Sequence, residues 1–148
     1  AYDCRRAGDD IRAMLCLESL GFYRDEPGSQ RYPFPLSRYY SDRGDFVAFV
    51  GNPASRALTR RMVALFRAAC PFPSEGAALP GVFPGVSWSD HRSFWRAGYP
   101  AVMATDTVPY RNPHYHQPSD LPETLDFLRL ARVTRGLAAV VRELARER

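Results

Sequence analysis

Three short apolar segments constrain the fold of this chain more than any other feature. They lie at the centres of residues 11–23 (IRAMLCLESLGFY), 45–52 (DFVAFVGN) and 99–107 (YPAVMATDT). Unbroken apolar runs of this length are typical of strands buried on both faces, as in the middle of an α/β sheet. The first of them, with MLCL at its centre, fits a helix nearly as well.

Segments with helical periodicity follow these strands. Residues 54–70 repeat apolar side chains at helical spacing with arginines opposite, and residues 90–97 predict a short helix that begins at Asp90. The last helix is predicted over residues 122–146, because DLPE provides a capping carboxylate, Asp120, and a proline in the first turn. Residues 76–82 (GAALPGV) form a further short strand in this interpretation, and residues 24–44 a long surface loop. The alternation predicts an α/β fold with helices on both faces of the sheet.

Composition excludes several classes of protein. The 148 residues, 45% of them hydrophobic, suit one globular domain spanning residues 1–148. No apolar run reaches the roughly 18 residues of a membrane span. All 20 basic residues are arginine, but they are scattered and the net charge is only +4, so nucleic-acid binding is the weakest hypothesis. Three cysteines without C-x-x-C spacing do not predict a disulfide framework.

The ends of the chain leave location open. It begins at Ala1 without an initiator Met, so we expect a processed form or an excised piece, with any targeting segment upstream.

Three polar features lie where predicted strands end or where the following loops begin. Glu18 follows the first apolar run, the segment Ser89-Asp90-His91 precedes a helix, and the loop PHYHQPSD (residues 113–120) follows the last strand. Ligands of open α/β folds lie at the carboxyl ends of the strands. We therefore expect these features to meet on one rim of the sheet.

A carboxylate and an imidazole are ligands that zinc accepts, and catalytic zinc sites use three protein ligands plus water. Glu18 and His116 are the candidate metal ligands, and Asp90 or Asp120 could accept the second ring N–H of a ligand histidine. A lone histidine is nevertheless more often a structural hydrogen-bonding group than a ligand, so both interpretations of the pair His114 and His116 stay open here.

The run WSDHRSFWRAGYPAVMATDT followed by YRNPHYHQPSDLPETLD resembles the carboxyl-terminal half of the dizinc aminopeptidases of the bacterial leucyl-aminopeptidase type, which are distantly related to glutaminyl cyclases. LCLESLGFY, upstream, is similar to the family strand that ends in an acidic metal ligand. The resemblance extends from residue 11 to about residue 144. It implies the phosphorylase/hydrolase-like fold of zinc exopeptidases, present here only in part.

The resemblance also implies roles for individual residues. Glu18 matches the carboxylate that binds one of two zinc ions, and His116 matches the histidine that binds the other. Tyr115 matches the hydroxyl that in some members stabilises the tetrahedral intermediate, whereas cyclase-like relatives tend to carry tryptophan there. Asp90 matches a carboxylate close to the metals, and Ser89 a neighbour that lines the cleft. His91 is expected to belong to the scaffold, His114 has no assigned role, and Asp120 is expected to fix the loop by capping the last helix.

The sequence departs from the family pattern in one large respect. Family members carry a His-x-Asp motif, whose aspartate bridges the metals, and a Glu-Glu pair that supplies the general base and a further ligand. Neither motif occurs in the 148 residues. We therefore expect a carboxyl-terminal portion of a zinc exopeptidase acting on peptides, inactive by itself. The alternative is a non-catalytic domain of the same fold, used for binding or assembly.

Overall fold

A computed structural model describes residues 1–146 and contains a four-stranded mixed sheet. The strands are β1 (Met14–Glu18), β2 (Val47–Gly51), β3 (Ser74–Ala78) and β4 (Ala101–Thr105), in the spatial order β1-β4-β2-β3. β1 is parallel to β4, β4 is antiparallel to β2, and β2 is parallel to β3. The sheet flanked by helices confirms the predicted α/β class, and β3 begins two residues earlier than the sequence predicts.

Two amphipathic helices, α2 (Arg56–Ala69) and α5 (Phe127–Arg146), cover one face of the sheet. Their buried side chains pack with those of β2 and β4 in the larger core cluster, which includes Phe49, Met62, Phe66, Val102, Val133 and Val140. The periodicity of residues 54–70 places Met62 and Phe66 on this buried face and the arginines in solvent. This packing fixes the back of the sheet.

A smaller apolar cluster lies on the opposite face. Cys16, Ala48, Val50 and Met103 project from the strands into this cluster, and Trp95 of the short helix α3 (His91–Arg96) packs against it. The loop that precedes α3 also contributes to the cluster. α3 begins after Asp90 as predicted, and Gly98 follows it with a φ of +81°. This second face leaves room for the cleft described below.

The position of β1 differs from the prediction that it is buried on both faces inside the sheet. β1 is an edge strand with only β4 beside it among the described strands, and Leu17 is 58% exposed. The apolar run MLCL correctly indicates a strand but cannot identify its neighbours. The exposed Leu17 lies on the α2 and α5 side of the sheet, because side chains alternate along a strand and Leu15 contacts that core.

The segment after β4 also differs from the prediction. Residues 108–111, expected to belong to a loop, form a short helix, α4 (Val108–Arg111). The last helix begins at Phe127 instead of residue 122, which starts a separate 3₁₀ turn (Pro122–Thr124). Asp126 caps it by accepting a 2.9 Å hydrogen bond from the backbone N–H of Arg129. Asp120, six residues earlier, does not cap α5, so that prediction is wrong.

Two other elements complete the described chain. A short helix, α1 (Tyr2–Ala7), lies near Tyr99, and residues 24–44 form the expected long loop with one 3₁₀ turn (Leu36–Arg38). Within residues 1–146, no helix has the length and apolar character that crossing a bilayer requires.

Candidate functional site

A cleft of about 880 Å³ opens where β1 and β4 end and continues over the sheet face opposite α2 and α5. Its polar wall contains Glu18, Ser89, Tyr115, His116 and Asp120. The three polar features of the sequence therefore meet on one rim, as the position of strand ends predicts.

Glu18 is the last residue of β1, and a hydrogen-bonded chain holds its half-buried carboxylate. The hydroxyl of Ser89 donates to Oε1 of Glu18 at 2.6 Å. The thiol sulfur of Cys16 lies 3.2 Å from the same hydroxyl oxygen. Because a hydroxyl has one proton and Ser89 gives it to the carboxylate, the thiol is the donor to Ser89. Cys16 and Glu18 share one face of β1, so Ser89 connects both.

The loop that carries His116 is folded by its own polar groups. The side-chain oxygen of Asn112 accepts the backbone N–H of His114 at 2.9 Å, and the amide nitrogen of Asn112 lies 3.4 Å from Oδ1 of Asp120. His116 has a φ of +57°, in the left-handed region that non-glycine residues seldom adopt. The rings of Tyr115 and His116 stack with centroids 3.9 Å apart and an interplanar angle of 23°.

Three of the residues singled out by the sequence lie elsewhere. Asp90 is exposed in front of α3 and does not line the cleft. His91 is fully buried and bonds through Nε2 to the carbonyl oxygen of Val86 at 2.7 Å, which confirms its expected place in the scaffold. His114 is outside the cleft lining and pairs through Nδ1 with the hydroxyl of Ser119 at 2.9 Å. The structure thus separates His114 from His116.

The sequence interpretation missed Asp106 and Arg111. Asp106 directly follows β4, lines the cleft and is 1% exposed, while Arg111 ends α4 and is 6% exposed. Burial raises the pKa of Asp106 to about 7, although the N–H of Phe22 and the charge of Arg111 act in the opposite direction. Burial lowers the pKa of Arg111 to about 10. The argument applied to Glu18, a carboxylate after an apolar strand, could have identified Asp106 as well.

The remaining wall of the cleft is predominantly apolar. Ala48 and Val50 of β2 and Met103 of β4 form its floor, together with Phe46, which precedes β2. The loops of residues 24–44 and 79–88 form its sides and contribute Tyr32 and Phe83. Trp88 stands near the opening and is 65% exposed. The site therefore combines a short polar edge with an extended apolar surface, which is typical of pockets for small molecules and peptide ends.

Glu18 and His116 have donor groups that suit zinc, and they line the same cleft. In the described part of the chain, no group of three or more His, Cys, Asp or Glu side chains is placed to hold a metal ion. The pair therefore fits as part of a zinc site but falls short of the three protein ligands that a catalytic site requires.

Comparison with known proteins identifies the family of this chain. The family model described as peptidase family M28 matches residues 5–141. An uncharacterized protein of Escherichia coli strain K12, YfbL, is 37% identical over 132 residues. That alignment covers 88% of this chain and 41% of YfbL, so the chain spans less than half the length of this relative.

Solved structures share the fold. The LapA aminopeptidase of Legionella pneumophila superposes with a TM-score of 0.71 at 18% identity, and LapB of the same organism with 0.70 at 16%. Each match covers 98% of this chain and 34% of the other. BSAP, a zinc aminopeptidase from Bacillus subtilis, gives a TM-score of 0.55 at 16% identity. That match covers 95% of this chain and 32% of the BSAP chain.

Proposed function

The chain belongs to peptidase family M28, and we propose that it carries one part of a zinc-dependent exopeptidase site that acts on peptides as an aminopeptidase does. The observation that carries the proposal is the convergence of Glu18, Ser89, Tyr115 and His116 on one cleft at the ends of β1 and β4. Residues far apart in sequence meet there, and their carboxylate, hydroxyl and imidazole groups are of the kinds that such a site uses.

Each of these side chains has a distinct task in the proposed site. Glu18 and His116 would hold zinc, each supplying one ligand of a site for two ions. Bound zinc would supply an activated water and polarise the scissile carbonyl. Ser89 orients the Glu18 carboxylate through its 2.6 Å hydrogen bond. The Tyr115 hydroxyl donates to the oxyanion that develops during hydrolysis. The apolar floor restricts water around the reacting groups.

Further groups are required from outside these 148 residues. Two ligands are fewer than a catalytic zinc site uses, and the chain lacks the His-x-Asp and Glu-Glu motifs of the resembling enzymes. The E. coli relative is more than twice as long as the matched region. We therefore propose that a longer polypeptide supplies the remaining ligands and the general base, and that the chain alone does not turn over substrate.

A non-catalytic role in binding or assembly is the second candidate. The observation that favours it is the lack, among residues 1–146, of a cluster of three or more potential metal ligands. The coding sequence upstream of Ala1 distinguishes the two candidates: His-x-Asp and Glu-Glu motifs there support the enzyme, and a start of translation at this point supports the binding domain.

The direct test compares zinc binding and hydrolysis of aminoacyl-anilides by this chain and by the longer native protein. His116→Ala and Glu18→Ala are expected to remove zinc from the longer protein and abolish nearly all turnover. His114→Ala is the matched control, since His114 lies in the same loop but outside the cleft lining. Zinc-dependent turnover by the short chain would refute the partial site. An inactive, metal-free longer protein would refute the peptidase function.

A further inference from the structure

The backbone of Phe22 is held by two buried side chains, the carboxyl of Asp106 and the guanidinium of Arg111. Oδ2 of Asp106 accepts a 2.9 Å hydrogen bond from the N–H of Phe22. Nη1 of Arg111 donates to the carbonyl oxygen of the same residue at 3.3 Å. We call Asp106, Phe22 and Arg111 the backbone clamp.

The clamp joins the two chain segments that carry the candidate zinc ligands. Phe22 lies four residues after Glu18, at the end of the turn that follows β1. The backbone N–H of Asp106 also donates to the carbonyl oxygen of Ser19 at 2.7 Å. Arg111 ends the helix that leads into the loop of His116. A change in the clamp would therefore alter the position of Glu18 relative to His116.

The clamp is anchored in the rest of the fold on the Arg111 side. Arg111 donates to the carbonyl oxygen of Phe46 at 2.9 Å and to Oε1 of Gln30 at 2.8 Å. The hydroxyl of Thr107 donates to the same Gln30 oxygen at 2.9 Å. The guanidinium also lies 4.6 Å from the centre of the Phe46 ring. One side chain thus connects the entrance of β2, the loop of residues 24–44 and the turn after Glu18.

Burying a carboxyl and a guanidinium costs desolvation energy, so their presence is weak evidence for a purely stabilising role. Directed hydrogen bonds, in contrast, fix backbone positions that apolar contacts leave adjustable. We propose that Asp106 and Arg111 are positioning residues that set the geometry of Glu18 and His116. The expected effect on zinc affinity rests on the proposed function, whereas the expected effect on the Phe22 backbone does not.

Variants of equal size separate positioning from packing. Asp106→Asn keeps an oxygen that accepts the Phe22 N–H, while Asp106→Leu has a similar volume and no acceptor. Arg111→Lys keeps the charge, but one ammonium group cannot reach all three acceptors of Arg111 together. These acceptors are Oε1 of Gln30 and the carbonyl oxygens of Phe22 and Phe46. Asn52→Ala is the control, because it removes a comparable acceptor, 2.8 Å from the N–H of Ser55, at a site that does not line the cleft.

The first readout needs no metal. In Asp106→Leu and Arg111→Lys, the rate of amide hydrogen exchange at Phe22 is expected to rise at least tenfold more than the rate within β2. The NMR signals of the His116 ring are also expected to shift in both variants. Asp106→Asn and Asn52→Ala are expected to leave both unchanged. The proposal is overturned if the exchange rates at Phe22 and within β2 rise by the same factor in these variants. It is also overturned if Asn52→Ala shifts the His116 signals as much as Asp106→Leu and Arg111→Lys do. Should Asp106→Leu fail to fold, Arg111→Lys decides in the same way.

Zinc titration of the same His116 signals in the longer native protein, which in the proposed function supplies the remaining ligands, is the second readout. Loss of groups that orient metal ligands typically weakens metal affinity 10- to 100-fold, and we expect this range for Asp106→Leu and Arg111→Lys. Wild-type affinity in either variant overturns the proposal. If the wild-type protein shows no zinc-dependent shift, the zinc part of the proposed function fails, while the metal-free readout still decides the role of the clamp.

Discussion

The hydroxyl of Ser89 donates a 2.6 Å hydrogen bond to Oε1 of Glu18 across 71 residues of sequence. This contact brings the loop in front of α3 to the end of β1. Ser89 bonds to Oε1 of Glu18, so Oε2 is the oxygen that remains for a metal ion in the proposed site. A carboxylate held through one oxygen presents the other in a defined direction, which is how neighbouring groups orient metal ligands.

Replacing Ser89 with alanine is therefore expected to weaken zinc binding without unfolding the protein. We expect a 10- to 100-fold loss of affinity, the usual effect of removing a group that orients a ligand, measured by calorimetric titration of the longer native protein. Ser87→Ala is the control, because Ser87 lies in the same loop and donates only to the carbonyl oxygen of Gly81. Equal affinities of the two variants would contradict this role of Ser89.

The sequence predicted the strands and the convergence of the cleft residues because both depend on patterns within short segments. Apolar runs and helical spacing identify β1, β2, β4 and α2, and the ends of parallel strands place Glu18 near the loop of His116. Whether β1 is central or at an edge depends on which strands lie beside it, and no property of MLCL encodes that.

Short-range polar signals were less reliable than apolar patterns. Asp120 and Asp126 both precede helical segments, but only Asp126 is close enough to accept the N–H of Arg129. DLPE begins a 3₁₀ turn instead, and the chain extends again at Leu125 before α5 begins. The partners of Asp106 come from the segment after β1, 84 residues away in the case of Phe22. Local sequence cannot show such contacts.

The buried carboxyl of Asp106 is expected to make stability fall as pH rises. Its pKa increases from 3.8 to about 7 on folding, chiefly through burial, so the folded protein binds more protons than the unfolded chain between these values. Stability from this group is therefore lost as pH rises through that window. Asp106→Asn should gain about 3 kcal/mol relative to wild type between pH 5 and pH 8, measured by urea unfolding.

His91 has the opposite influence, and comparing variants removes it. Burial lowers the pKa of His91, so its protonation in the unfolded chain reduces stability as pH falls below its ordinary value. Because His91 is present in wild type and in Asp106→Asn, the difference between their pH profiles isolates Asp106. Parallel profiles would show that Asp106 does not change its protonation on folding over this range.

Gly136 allows the close approach of α5 to α2. A Cβ atom at this position would overlap the Phe66 ring and lie 2.9 Å from Cβ of Cys70. Alanine improves helix propensity by about 1 kcal/mol, but we expect Gly136→Ala to lower the free energy of unfolding by about 1–3 kcal/mol through overpacking. Urea unfolding measures this, with the exposed Thr134→Ala as a helix control. A stabilised Gly136→Ala protein would contradict the close contact.

The stacking of Tyr115 on His116 separates two contributions of the tyrosine to the proposed hydrolysis. The ring contacts the imidazole face to face with centroids 3.9 Å apart, whereas the hydroxyl is the group that serves as oxyanion donor in the proposed site. Tyr115→Phe keeps the ring, so we expect zinc affinity to stay at the wild-type level while kcat falls about 10- to 1000-fold, the scale of losing one such donor. Tyr115→Ala also removes the stacking and is expected to weaken zinc binding as well. Turnover of aminoacyl-anilides and zinc titration of the longer native protein measure both effects. If Tyr115→Phe keeps full kcat, the hydroxyl is not the oxyanion donor and the tyrosine acts only through its ring.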